Sequence, residues 1–197
     1  MMRTTWLFRS ALLAALSASA GCGDELRPPP AEIPVLQQVV NLHARSSGDT
    51  LACAYSIMNL AEVSCLIGNR YDVLFDVGPD DALFVGTTGD TVAVLRPGGM
   101  EPSGPWVSMQ RSAIPYDSIK AAPVSGYSDG SVAIRAGDAL IVASVPVLCT
   151  TGLTSPRYAK LHVQSIDFAA RTVSFLATID PNCGYRSFEQ PGAVPSY

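Results

Sequence analysis

ALIVASVPVLCTTGLTSPRYAKLHVQSIDFAARTVSFLATIDPNCGY, residues Ala139 to Tyr185, reads as three consecutive β-strands, and that reading decides the fold. Ala139 to Leu148 is apolar at nearly every position, as a strand buried on both faces should be. Tyr158 to Ser165 alternates: Ala159, Leu161 and Val163 point one way, while Tyr158, Lys160, His162 and Gln164 point the other, towards solvent. Thr172 to Ile179 alternates again, with Val173, Phe175, Ala177 and Ile179 on one face. The link from Ile166 to Arg171 suits a hairpin, and Thr150 to Arg157 carries the Gly and Pro of a turn. Run up, down and up, the three strands bring Cys149 and Cys183 to one end of a sheet, which argues for a disulfide between them.

Outward from this stretch, 16 Gly and 15 Pro fall in turn-like clusters that suit many short strands. Val35 to Leu42 is a first strand. Leu51 to Leu66 (LACAYSIMNLAEVSCL) is ambiguous, because Leu51, Ala54, Tyr55, Met58 and Ala61 would share a helical face capped by Asp49 or Thr50. A straight helix would hold Cys53 and Cys65 about 18 Å apart. A disulfide needs Cα atoms within about 7 Å, which a hairpin turning near Asn59 provides. The hairpin is the reading adopted, and a Cys53–Cys65 bridge goes with it. Arg70 to Asp76, Ala82 to Val85, Thr91 to Leu95, Trp106 to Arg111 and Ser131 to Arg135 are further short strands. Arg96 to Pro105 is a loop, and Ile114 to Gly130 is mostly irregular with one helical turn near Asp117. The expectation is an all-β, antiparallel, sandwich-like domain over residues 35–188 with two disulfides, followed by a flexible tail over 189–197. The other two pairings of the four cysteines stay open.

Residues 1–21 read as a signal peptide, with Arg3 and Arg9 before the apolar run Ala11 to Ala20, which is too short to span a bilayer. Ser19-Ala20-Gly21-Cys22 then resembles a bacterial lipoprotein signal, in which a cysteine preceded by small residues is lipidated and becomes the new N-terminus. Ser19 departs from that pattern, where Leu is commonest. Ordinary secretion, with cleavage after Ala18-Ser19-Ala20, is the alternative. Lipidation of Cys22 leaves an even four of the five cysteines, whereas secretion leaves a reactive thiol over. Gly23 to Pro34 is a Pro-rich, polar tether, so residues 22–34 form an anchor and spacer. Loss of Arg3 and Arg9 from 13 cations leaves 11 against 17 anions, a net charge of −6. With Lys120 and Lys160 the sole lysines, no basic stripe for nucleic acid is present.

Three motifs compete with bland explanations. Gly126-Tyr127-Ser128-Asp129-Gly130 matches the G-x-S-x-G of serine hydrolases, with Asp138 and His162 following in order. That chemistry needs a strand before the serine and a helix after it, yet Ser131 to Arg135 reads as a strand, so a turn is the preferred reading. His43, beside Arg45, and His162, in a strand, lack the paired carboxylates of a zinc site and read as surface histidines. Met58, near a hairpin tip, and Met100, in a Gly-rich loop, are placed where a thioether could act as a soft ligand.

Tyr116-Asp117-Ser118-Ile119, Ala121-Ala122-Pro123, Gly126-Tyr127, Leu140-Ile141-Val142, Tyr158-Ala159-Lys160-Leu161 and Thr172-Val173-Ser174-Phe175 together resemble the C-terminal half of the HmuY-like lipoproteins. Arg70 to Phe75 is similar to an earlier strand of that family, with Tyr71 in place of Trp. The resemblance implies an all-β protein lipid-anchored to the bacterial outer membrane, in a family whose best-understood members capture haem. They do so through two axial histidines or methionines in loops at one end of the fold. His162 departs by falling inside a strand, and the insertion from Thr150 to Arg157 is a second departure. The expected function is non-enzymatic binding of haem or another small ligand by an envelope lipoprotein, with Met58, Met100, Tyr127, His43 and His162 as candidate ligand-binding residues. A tethered structural or interaction domain without a small ligand is the alternative, and a hydrolase using Ser128 the third.

Overall fold

The computed structural model describes residues 31–48, 50–66, 70–79, 83, 90–98, 107–149 and 152–191. The signal peptide, Cys22, Met100, Trp106 and, Leu83 apart, the strand expected over 82–85 lie outside the described residues.

Among the described residues, ten strands form two antiparallel sheets. The first holds β1 (Leu36–His43), β6 (Ser108–Arg111), β8 (Ala139–Ala143), β11 (Tyr158–Asp167) and β12 (Thr172–Asp180), in the order β1-β12-β11-β8-β6. The second holds β2 (Ala52–Ser56), β3 (Ala61–Ser64), β4 (Val73–Pro79), β5 (Thr91–Pro97) and β7 (Val132–Ile134), in the order β3-β2-β4-β5-β7. A two-stranded ribbon joins β9 (Val147–Leu148) to β10 (Thr154–Ser155).

Period-two alternation builds the core. Ala159, Leu161 and Val163 stand opposite Ile179, Ala177 and Phe175, so one face of the β11–β12 pair is wholly apolar. It packs against Tyr55, Ile57, Val73, Phe75, Ala93, Leu95 and Ile134 of the second sheet's strands and turns in one buried cluster. The Tyr55 ring meets Phe175 edge-on with centroids 6.0 Å apart, tying the two sheets of a sandwich-like, all-β arrangement.

The region from Leu51 to Leu66 is the hairpin. Residues 57–60 turn between β2 and β3, Ser56 stands opposite Ala61, and Leu60 takes a left-handed φ of 54°. Cys53 and Cys65 are disulfide-bonded with Cα atoms 5.7 Å apart. Cys149 and Cys183 form the second bridge, at 5.6 Å.

The structure changes several sequence expectations. The apolar run from Ala139 to Leu148 is not one strand: it breaks at Ser144-Val145-Pro146, where Pro146 has no N–H to give a ladder. The Ser144 hydroxyl accepts the Arg157 N–H at 2.9 Å and holds the departing chain. The strand expected from Arg70 starts only at Val73, because the Asp72 carboxylate caps the β2–β3 turn. Hydrogen bonds also involve residues on either side of 35–188: Asn182 grips Glu32 and Ile33, and Gln190 donates to the Val35 carbonyl.

The largest correction concerns the outer face of β11. Lys160 and His162, read as solvent-facing, are covered. The segment around Tyr116, Ile119 and Ala122, with Phe188, packs over Ala139 and Ile141 and leaves Lys160 only 8% exposed. A 3-10 turn at Tyr116–Ser118 lies where the helical turn was expected. Ala122 and Phe188 N–H groups donate to Arg186 and Lys120 carbonyls, so the two covering segments are stitched together.

Candidate functional site

The sandwich has two ends, and polar groups concentrate differently at each. At the first end β1 begins, β2 turns into β3, and Tyr158 stands opposite Asp180. Asp72 immediately precedes β4, and its carboxylate accepts the N–H groups of Ile57 at 2.7 Å and Met58 at 3.4 Å. Burial pushes this carboxyl above its ordinary range, opposed by backbone donors at Ile57, Met58 and Val145 and by the Arg157 charge. Asp180, 1% exposed, is also raised by burial, opposed by the Asn182 side chain and backbone and by Arg157. Arg157 donates to the Met58 carbonyl at 3.4 Å, so one guanidinium serves two buried carboxylates and the turn that carries Met58.

The same end receives the chain from its N-terminal side. Asn182 accepts from the Glu32 and Ile33 N–H groups at 3.2 and 3.0 Å and donates to the Ile33 carbonyl at 2.7 Å. Cys183, next in sequence, staples the β9–β10 ribbon through Cys149. The Gly98 N–H donates to the Asp72 carbonyl at 2.8 Å, and Val107 N–H to the Gly98 carbonyl at 3.2 Å. These bonds close the base of the loop to which Met100 belongs. The Met58 turn and the base of that loop therefore share this end.

The remaining candidates are elsewhere. His43 is exposed at the opposite end, near a lock in which Arg171 donates to the Val77 carbonyl at 2.6 Å and Asp76 accepts from Ser46. His162 is half-buried on the outer face of the first sheet, its ring 5.3 Å from Tyr116 and its Nδ1 buried without a partner. Tyr127 covers the same face, 6.3 Å from Tyr158, and burial pushes its hydroxyl up to about 12 despite the Gln110 side chain. Lys160, beneath this cover, donates to the Tyr116 and Ile119 carbonyls at 3.1 and 2.9 Å and sits 4.4 Å above the Tyr116 ring. Burial lowers its ammonium below the ordinary lysine value, opposed by Asp117.

His43 and His162 do not form a pair of axial ligands. His43 stands opposite Thr172 and His162 opposite Leu176, so the two are four residues along and two strands across. They are about 16 Å apart at standard strand spacings, far beyond the reach of a single iron. Met58 lies beyond the start of β11, remote from both. Among the described residues no three His, Cys, Asp or Glu side chains assemble as metal ligands. Ser128 is bridged through its backbone to Met109, its hydroxyl accepts the Gly130 N–H at 3.0 Å, and β7 rather than a helix follows. The setting of a nucleophile elbow is missing there.

Sequence reasoning missed Asp72, Arg157, Asp180 and Asn182. Their signal was faint: single polar residues abutting apolar strands, where a charge ordinarily faces water. Comparison with protein-family models, curated proteins and solved structures found no match to this chain.

Proposed function

We propose that this chain is an exported envelope domain, tethered through a lipidated Cys22 in the outer membrane, that works by binding and not by catalysis. The observation that carries the reading is the cysteine pairing. Cys53–Cys65 and Cys149–Cys183 use four thiols, and Cys22, just after Ser19-Ala20-Gly21, is the one left. Two disulfides favour an oxidising compartment, where an unmodified fifth thiol would be a liability.

The binding end this reading favours is the one holding Met58, Asp72, Arg157 and the base of the Met100 loop. The tethered interaction domain is preferred over a haem held between His43 and His162, because strand register sets those two histidines about 16 Å apart. Fractionation tests the tether: wild-type protein should sediment with outer membranes, and Cys22→Ala should be released. Retention of the alanine variant on membranes would overturn the lipid anchor. Haemin titration of a soluble form starting at Gly23 should leave the Soret band unsharpened. A sharp, saturable Soret band would restore haem capture and direct mutation to Met58, Met100 and His162.

A further inference from the structure

The β9–β10 ribbon is stapled by Cys183, the residue after the Asn182 that holds the chain at Glu32 and Ile33, and the ribbon's apolar side chains are unusually bare. Leu148 and Leu153 are 75% and 71% exposed, and residues 145–156 (VPVLCTTGLTSP) contain no charge. Exposed β-edges are ordinarily blunted by charged side chains. Cys183 staples this ribbon, and its neighbour Asn182 holds Ile33, itself 49% exposed, where the chain arrives from Cys22. Eight residues lie between Cys22 and Ala31, a reach of about 30 Å when fully extended.

We infer that the β9–β10 ribbon is a second membrane contact, laying Leu148 and Leu153 into the headgroup–acyl boundary of the bilayer that holds the lipid anchor. The inference rests on the proposed tethering through Cys22. Two leucines alone bind a bilayer weakly, but a short tether converts the contact into an intramolecular one at an effective concentration of ~mM order. The uncharged ribbon is the end a short leash brings to the surface. The opposite end, at the β11–β12 turn with Phe168, Asp167 and Arg171, is turned away.

The test replaces the acyl anchor with a polyhistidine tag ahead of Gly23, bound to phosphatidylcholine vesicles containing a nickel-chelating lipid. Trp106→Phe removes the one natural tryptophan of the mature chain, and Leu153→Trp or Phe168→Trp supplies a reporter. With brominated lipid, Leu153→Trp should lose about two-fold of its emission and shift blue, while Phe168→Trp stays unchanged. Leu148→Asp in the Leu153→Trp background should abolish the quenching. Equal emission of Leu153→Trp on brominated and plain vesicles would overturn the inference, as would equal quenching of both reporters. A concentration-dependent blue shift without vesicles would assign the ribbon to a second copy of the chain and overturn it as well. Because the tag supplies the tether, these outcomes are independent of whether Cys22 is acylated.

Discussion

Lys160 shows how one side chain can hold an irregular segment in place. Its ammonium satisfies two carbonyls and rests on the Tyr116 ring, pinning the cover over the first sheet. Lys160→Ala leaves those carbonyls without their donor and should cost about 2 kcal/mol in urea unfolding, with increased proteolysis between Ser112 and Tyr127. Gly98 is constrained by space: a Cβ there would collide with the Tyr71 carbonyl oxygen, and backbone cannot yield cheaply. Gly98→Ala should therefore destabilise by about 3 kcal/mol, measured the same way. Asp72 makes a pH-dependent contribution. Its folded-state value is raised by burial, so between the unfolded and folded values the folded chain binds more protons. Its contribution is thus most favourable below the unfolded value and is lost as pH rises through the folded one. Asp72→Asn removes this ionisation, so its stability relative to wild type should improve from about pH 4 to pH 7. An unchanged difference would show that the carboxyl ionises freely.

The disulfides test the architecture at the level of elements. Cys53–Cys65 closes a separation of 12 residues and Cys149–Cys183 one of 34. Chain-entropy arguments give about 3 and about 4 kcal/mol respectively. Paired Cys→Ala variants should lose stability in that order in denaturant titrations, and the Cys149–Cys183 pair should also free the ribbon. Most of these elements were legible beforehand. Alternation in YAKLHVQS and TVSFLATI reported β11 and β12, and the twelve-residue cysteine spacing made a Cys53–Cys65 bridge and a helix between Leu51 and Leu66 mutually exclusive, a choice the observed bridge decides for the hairpin. The break after Ala143 was hidden because Val145, Pro146 and Val147 continue the apolar run, and only the missing N–H of Pro146 marked it. The cover over β11 was hidden for a different reason: Pro115, Pro123 and Gly126 give that segment no period, so nothing local reports which face it overlays.

Across the whole molecule, the two ends of the sandwich differ in kind. One locks Ser46, Asp76 and Arg171 together, whereas the other gathers the tether junction, the Met58 turn, the loop base at Gly98 and the stapled ribbon. The sequence pointed to loops near Met58, but it could not separate His43 from His162, since strand order decides their distance. Asp72, Arg157 and Asp180 were invisible as a group because they come from three strand boundaries far apart in the chain. The tethered reading turns on the fate of the five cysteines, and one measurement reads all of them: the intact mass of the mature protein extracted from membranes. The expected species begins at Cys22, carries acyl chains on that residue, and is lighter by four hydrogens than the reduced chain because of its two disulfides. A mature chain beginning at Gly21 with an unmodified Cys22, or one whose acylated form retains free thiols, would contradict it.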